Sequence, residues 1–459
     1  MKTTNYNPLL VLLALLAILA CGCKKFLDEK PTKNQVIPSK FKDAQALLDY
    51  SITVNQTDLM SGEVSADDYS ITDARFSALT EQMGRMYTWQ KGNLYDPVIN
   101  EWKRMYDMVH VANMALETLQ GIPRTSENGV QWDQIRGQAL YLRAHFYFQG
   151  AQVWCLGYDR ATADLQPGLP LRLNTNFNEV SVRSTVAQTY GLILQDLTEA
   201  ERLLPAVAVS PTRPSRQAAH GMLARVYLAT GEFAKAGEQA SLCLSMPHQL
   251  LDFNSLASTA AFPIRQLSAE VIYQSRAVSL AAVSNATAMI SREIYNTYQS
   301  NDLRRAVFFR TNSDGSYGFK GSYEGSSNYF TGLAADEVYL IGAECKAREN
   351  KIGEAMELLR LLMVKRFRID PLTRQSTYVL PQISGQQQAI ELVLLERRKE
   401  LLMRGLRWMD IKRLNVQGAN IGITRTVNGT LYKLEPGSRR FAMSIPDDVI
   451  QISGMAQND

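Results

Sequence analysis

Few residues in this chain stand at spacings that do chemistry. Asp67-Asp68 and Asp447-Asp448 are adjacent carboxylate pairs. Acid–base work on a substrate needs two carboxyls flanking one bond, and adjacency in sequence does not imply facing geometry. These acids therefore read as solvated loop residues. The four histidines, His110, His145, His220 and His248, lie far apart, with no cysteine or second histidine at ligand spacing. That argues against a locally built zinc site. The run Glu396-Arg397-Arg398-Lys399-Glu400 reads first as a helix face laced by ion pairs. A phosphate-cradling glycine loop, a Gly-x-Ser-x-Gly elbow and a His-Glu-x-x-His helix are all missing. No catalytic constellation, metal site or cofactor motif emerges.

Composition narrows the class further. The chain has 459 residues, 46% hydrophobic and 20% charged, with a net charge of +4 and a mean hydropathy of −0.18. Those values argue against chain-wide disorder and a polytopic membrane protein. The charge excess is too weak for the basic face of a nucleic-acid binder. Cys155, Cys243 and Cys345 each stand alone in apolar helical patterns and read as buried, inert thiols rather than a disulfide framework.

The N-terminus carries an export pattern. Lys2 precedes an unbroken apolar run over residues 9–20, the length of a signal-peptide core and too short to span a bilayer. The run ends in Ile18-Leu19-Ala20-Cys21-Gly22-Cys23, which resembles the lipobox of bacterial lipoproteins. Either Cys21 or Cys23 follows a small residue and suits acylation, and multiple acyl chains would hold the mature protein on a membrane.

The body reads as paired helices. Trp102, Met105, Tyr106, Val109, Ala112 and Leu116 mark one amphipathic helix, stopped near Gly121-Ile122-Pro123. Others are predicted over about 132–153, 185–204 and 388–404. Residues 217–246 place large, small and aromatic side chains as a tetratricopeptide repeat does, with Gly231 at the turn. A looser copy covers 336–366, with Gly353 near its turn. Residues 51–99 and 311–332 lack sustained periodicity and are expected to be long functional loops. Val271-Ile272-Tyr273 and Phe441-Ala442-Met443-Ser444-Ile445 are expected to be minor strands.

A resemblance to a known family joins these pieces. Cys23-Lys24-Lys25-Phe26-Leu27-Asp28-Glu29-Lys30-Pro31 resembles the start of a mature SusD/RagB-type lipoprotein, a register that favours Cys23 as the lipidated residue. The helix from Gly137 to Phe148, which includes Arg143, resembles a family helix. The block Glu396-Arg397-Arg398-Lys399-Glu400-Leu401, followed by Gly405-Leu406-Arg407-Trp408-Met409-Asp410-Ile411-Lys412-Arg413, is the most specific match. Arg404 departs from the pattern, standing where an acid usually precedes the Gly-x-Arg-Trp, so that acid's ion pair is lost or replaced. Ala334 stands where an arginine commonly opens a helix.

The resemblance implies a mostly α-helical, tetratricopeptide-like helical-repeat scaffold with long irregular loops and a few short strands. Residues 1–22 would be the lipoprotein signal peptide and 23–459 one SusD-like domain, with parts 23–205 and 206–459. It implies no enzyme and no cofactor. The expected role is a surface-exposed outer-membrane lipoprotein that binds oligosaccharides, or peptides, and passes them to a SusC-like TonB-dependent transporter. A surface glycoside hydrolase and a ligand-free scaffold lipoprotein are the alternatives. Arg143, Glu396, Arg397, Arg398, Glu400, Arg407, Trp408, Asp410 and Arg413 are then expected to be structural, the block from Glu396 to Arg413 as buried ion pairs around Trp408. Sugar rings stack on aromatic faces, and their hydroxyls hydrogen-bond with Asp, Asn and Arg side chains on surface loops. The ligand-binding candidates are Asp67, Asp68, Tyr69, Tyr87 and Trp89 in the first loop region, with Tyr317, Tyr323 and Tyr329 in the second. On that reading, Trp89→Ala would weaken ligand binding without unfolding the protein.

Overall fold

The computed structural model describes residues 38–458; the expected signal peptide, with Cys21 and Cys23, lies outside the described residues. The fold is mostly α-helical, and its helices start where side chains can satisfy their free N–H groups. Asn100 caps α2 (Glu101–Gln120) by accepting from the Lys103 N–H. Thr185 and Gln188 close a capping box on α4 (Val186–Leu203). Ser215 caps α5 (Arg216–Ala229) through the Ala218 N–H. Around them lie α1 (Phe41–Asp49), α3 (Gly129–Trp154), α6 (Phe233–Leu244), α7 (Ala335–Arg348) and α8 (Ile352–Met363). Towards the end come α9 (Gln386–Glu400), α10 (Arg407–Val416) and α11 (Asp447–Ser453).

Successive helices pack as hairpins, α2 on α3, α3 on α4, α5 on α6 and α7 on α8, with α6 joining α7. Close approach needs small residues. Ala224, Ala236, Ala240, Ala343 and Ala355 are fully buried, and a Cβ on Gly237 would come within 3.1 Å of the Cys345 Cβ. The turn between α5 and α6 uses Gly231 at φ +75, as its sequence position predicts. In the second repeat the left-handed turn residue is Asn350 at φ +61, and Gly353 lies inside α8. Asn reaches that region by hydrogen-bonding locally, so a glycine is not required there. The thiols of Cys155, Cys243 and Cys345 are free and buried, and burial raises their pKa values to about 11, about 12 and about 12.

Two expectations are corrected. Residues 441–445 are not a strand: the 3-10 turn Arg439–Phe441 runs into extended, unladdered chain. The stretch 51–99 is not one long loop, because it folds into short helices, among them Ser61–Ser65, Asp73–Ser77 and Glu81–Tyr87.

Among the described residues, five antiparallel two-stranded ladders tie these segments together. β1 (Tyr69–Ser70) pairs with β5 (Met289–Ile290), with Tyr69 opposite Ile290. β2 (Pro167–Pro170) pairs with β3 (Arg183–Thr185), and β4 (Val271–Tyr273) with β8 (Leu333–Ala334). β6 (Phe309–Thr311) and β7 (Tyr317–Phe319) form a hairpin, as do β9 (Ile423–Val427) and β10 (Thr430–Leu434). Among the described residues no helix is long and apolar enough to cross a membrane.

Candidate functional site

The β1–β5 pairing brings the first loop region against a segment more than two hundred residues later in the chain, and the tip of the β6–β7 hairpin and strand β9 complete the surround. Between them opens a polar cleft of about 660 Å³. Its exposed rim carries Ser70, Arg292, Glu293, Asp314, Thr424 and Thr426. Arg292 also reaches the Gly315 carbonyl at 3.4 Å, which ties the β6–β7 tip to the rim. Tyr317 is half-buried beside the cleft, its ring stacked on Tyr295 with centroids 3.5 Å apart.

Asp67 lines the floor, and Asp68 lies beneath it. Arg407 grips Asp67 with two hydrogen bonds, Nε to Oδ1 at 2.7 Å and Nη2 to Oδ2 at 2.9 Å. Arg398 bridges the pair, donating to Asp68 at 2.7 Å and to Asp67 at 3.2 Å. Burial works against ionisation of Asp67, but the Arg407 hydrogen bonds and charge, with Arg398, outweigh it and hold that carboxyl below its ordinary range. For Asp68, burial and the neighbouring Asp67 charge win, and its pKa rises.

The aromatic candidates of the first loop do not face the cleft as surface platforms. Tyr69, Tyr87 and Trp89 are 3%, 1% and 4% exposed. They box the guanidinium of Arg425, which lies 5.3, 3.8 and 4.8 Å from their ring centroids. Arg425 in turn donates to the backbone carbonyls of Val64, Ala66 and Tyr87. Loop aromatics expected at the surface are thus consumed in holding a cation that enters from β9. Edges of Tyr69 and Tyr87 still reach the cleft wall, whereas Trp89 lies outside it and donates its Nε1–H to the Ser65 carbonyl.

The second aromatic loop is corrected in the same way. Tyr323 is buried, its hydroxyl 3.2 Å from both Glu270 and Asp336. Tyr329 is buried against Phe319. Asp68, at 1% exposure, is likewise out of a ligand's reach. Of the eight candidates, Asp67, Tyr69 and Tyr87 line the cleft, and Tyr317 stands next to it.

The residues missed are Arg292, Glu293, Asp314, Thr424, Thr426 and Arg425. A signal for the last three was available. Asn428-Gly429 is the dipeptide of a tight hairpin turn, here at φ +46 and +75, and the run before it alternates inward Ile423, Arg425 and Val427 with outward Thr424 and Thr426.

The block from Glu396 to Arg413 forms a buried ion-pair lattice. Arg304 meets Asp302, Glu396 and Glu400, and Arg366 meets Glu400 and Glu270. Arg397 and Arg413 share Asp410, and Arg413 is also bidentate on Glu344 at 2.7 and 2.8 Å. Trp408 is buried against Phe441 and against Gly62. Arg143 forms a separate buried pair with Asp196, its Nη1 donating to Asn113. Arg404 has a partner of its own in Asp336 at 2.6 Å. Arg398 and Arg407 differ from the other members, because they carry the lattice up to the floor of the cleft.

Glu63 accepts from the Gly405 N–H at 3.0 Å, under the same floor. Burial, reinforced by the charges of Asp68 and Asp67, pushes its pKa from the ordinary 4.5 up to about 8. The folded protein therefore holds a proton there that the unfolded chain releases. That stabilising contribution is complete below about pH 4.5 and is lost as pH rises through about 8. Melting curves should show the wild type losing stability at about pH 9 relative to a Glu63→Gln variant, which keeps an acceptor without the charge. Parallel melting profiles for the two proteins would contradict this assignment.

Two family models match the chain. The first, described as "Starch-binding associating with outer membrane", covers residues 25–228, and the second, "SusD family", covers 320–449. The chain belongs to the SusD/RagB family. It is similar to SusD-like protein P2 of Formosa agariphila, with 26% identity over 377 residues that cover 69% of this chain and 71% of that protein. Among solved structures it resembles a SusD superfamily protein of Bacteroides thetaiotaomicron VPI-5482, with a TM-score of 0.72 at 20% identity, covering 92% of this chain and 100% of the other. It also resembles a SusD-like carbohydrate binding protein of Bacteroides vulgatus ATCC 8482, with a TM-score of 0.67 at 18% identity, covering 91% and 97%. For this SusD/RagB chain the structural likeness covers more than nine-tenths of the length.

Proposed function

We propose that this SusD/RagB protein is an outer-membrane lipoprotein, anchored through Cys23 and exposed at the cell surface. It binds oligosaccharides or other nutrients such as peptides in the polar cleft, and it delivers them to a partner SusC-like TonB-dependent transporter. The observation that carries the reading is the cleft itself. Two loop regions far apart in sequence converge on a site of about 660 Å³ rimmed by exposed polar and charged groups, a volume within the range of ligand pockets. Beside it Tyr317, half-buried and stacked on the buried Tyr295, offers an apolar edge for a sugar ring. Family membership and the outer-membrane description of the matched model support the location.

Binding rather than hydrolysis fits the two acids of the floor. Asp67 is locked by Arg407 and Arg398, and Asp68 is buried beneath it, so neither is free to protonate a leaving group or attack a sugar.

Calorimetry against plant, host and fungal glycans tests the reading. A neutral oligosaccharide should bind, and Arg292→Ala or Asp314→Ala should weaken it about tenfold, the value of one charge-assisted hydrogen bond. No binding across glycans and peptides, or release of reducing sugar, would count against it. Labelled palmitate should enter the wild-type protein and not Cys23→Ala.

A further inference from the structure

A second cavity, of about 530 Å³, opens between α2, residues 170–181 and α11, and it shares no lining residue with the polar cleft. Its character is different. Trp102, Tyr106 and Val109 of α2 line it, with Val449 and Met455 from the C-terminal segment. At its mouth Phe177 is 81% exposed, its ring centroid 4.7 Å from that of His110.

The loop that presents Phe177 is braced from below. Asn113 donates to the carbonyls of Arg172 and Asn174, at 3.0 and 3.2 Å. The Arg172 guanidinium holds the carbonyls of Glu179 and Asn176, each at 2.6 Å. Glu117 accepts from the N–H and hydroxyl of Thr175. These bonds fix the loop before any ligand arrives, and they consume polar groups that would otherwise have met a sugar's hydroxyls. On the opposite wall Val98 is held at φ +69, a rare conformation for a β-branched residue, with its N–H donating to Asp448 at 3.1 Å. Its side chain stays 66% exposed, and Ile452 stays 88% exposed beside the same cavity.

Of the charged groups lining it, Lys103 pairs with Asp107 at 2.6 Å, the Arg172 guanidinium is spent on carbonyls of its own loop, and Asp448 accepts from the Val98 N–H. His110 is held towards its neutral form by partial burial, which lowers its pKa. A charged ligand would therefore have to compete with contacts that these groups already make. A plain sugar would leave the apolar walls uncovered and find few free partners for its hydroxyls.

We propose that this cavity is a second binding site, which takes a neutral ligand carrying one aromatic ring beside a hydrogen-bonding group. The ring lies between Phe177 and the α2 wall, and the imidazole of His110 meets the polar end. The volume falls within the range of small-molecule pockets, roughly 300–1,000 Å³.

Calorimetry on the full chain with three probes tests this: 4-nitrophenyl β-glucoside, N-acetyl-phenylalaninamide and methyl β-glucoside. The two aromatic probes should bind and methyl β-glucoside should not, and whichever aromatic probe binds more tightly identifies a glycoside or a peptide as the source of the ring. Phe177→Ala should weaken aromatic binding about tenfold. His110→Phe, which keeps the ring and removes its nitrogens, should weaken it several-fold. The proposal is overturned if neither aromatic probe binds at about 10 mM, if methyl β-glucoside binds equally well, or if Phe177→Ala leaves affinity unchanged. Loss of a copurifying protein from Phe177→Asp, without probe binding to the wild type, would overturn it in favour of a protein contact.

Discussion

Glu400→Ala should lower stability by about 3–5 kcal/mol, read as a shift in the urea unfolding curve. The Glu400 carboxylate accepts from Arg366 Nε at 2.6 Å and from Arg304 Nη1 at 3.0 Å, and both arginines are fully buried. Removing the acid leaves two desolvated cations short of an acceptor. Each keeps other partners, Asp302 and Glu396 for Arg304 and Glu270 for Arg366. Those partners cannot move to fill the gap without breaking their own packing. The exposed pair between Arg360 and Glu357 supplies the control, since Glu357→Ala removes an ion pair of 2.7 Å that solvent already screens. Equal unfolding midpoints for the two variants would show that the lattice contributes nothing beyond surface pairing.

Trp89→Ala should also destabilise, by about 3–5 kcal/mol, rather than selectively weaken ligand binding. Its indole is 4% exposed, donates to the Ser65 carbonyl at 2.9 Å and closes one side of the box around Arg425. Truncation leaves a cavity and strips an aromatic face from a buried cation. The residue also sits at φ +54, so the backbone there already depends on its surroundings. Urea unfolding should move strongly, while protein that remains folded keeps its glycan affinity, because Trp89 does not line the cleft. A variant with wild-type stability and lost affinity would return Trp89 to the binding surface.

The helices were legible because helix signals are local. Asn100, Thr185 and Ser215 each stand at a helix start, and Gly231 and Pro205 mark ends, so boundaries follow from a few neighbouring residues. Helix α9 was expected to run on to Arg404. It stops at Glu400, because the chain turns through left-handed Met403 and Gly405 to aim Arg407 at Asp67. That turn serves a contact 340 residues away in sequence, which no local pattern records.

The candidate site was only partly legible, for the same reason. Aromatic and acidic residues in segments without periodicity are what a binding loop needs, and Asp67, Tyr69 and Tyr87 do reach the cleft. Whether such an aromatic ends up exposed depends on what else packs there. Arg425, supplied by a hairpin more than three hundred residues later, drew three of them inward. Lys320 gives a second case in the other loop, buried with its ammonium on the carbonyls of Ser258 and Ala260.

By itself, the sequence determined the helical class, the repeat geometry around Ala224 and Ala236, the turn at Gly231 and the inert character of the three body thiols. These follow from hydrogen bonds and side-chain spacing within a few residues of one another. Only the tertiary structure decided which charges are buried in ion pairs and which stay at the surface. Asp67 belongs to Arg407 and Arg398, while Arg292 and Asp314 stay at the rim. Burial is a property of the assembled neighbourhood, so a carboxylate or a tyrosine gains its role only when distant segments close around it.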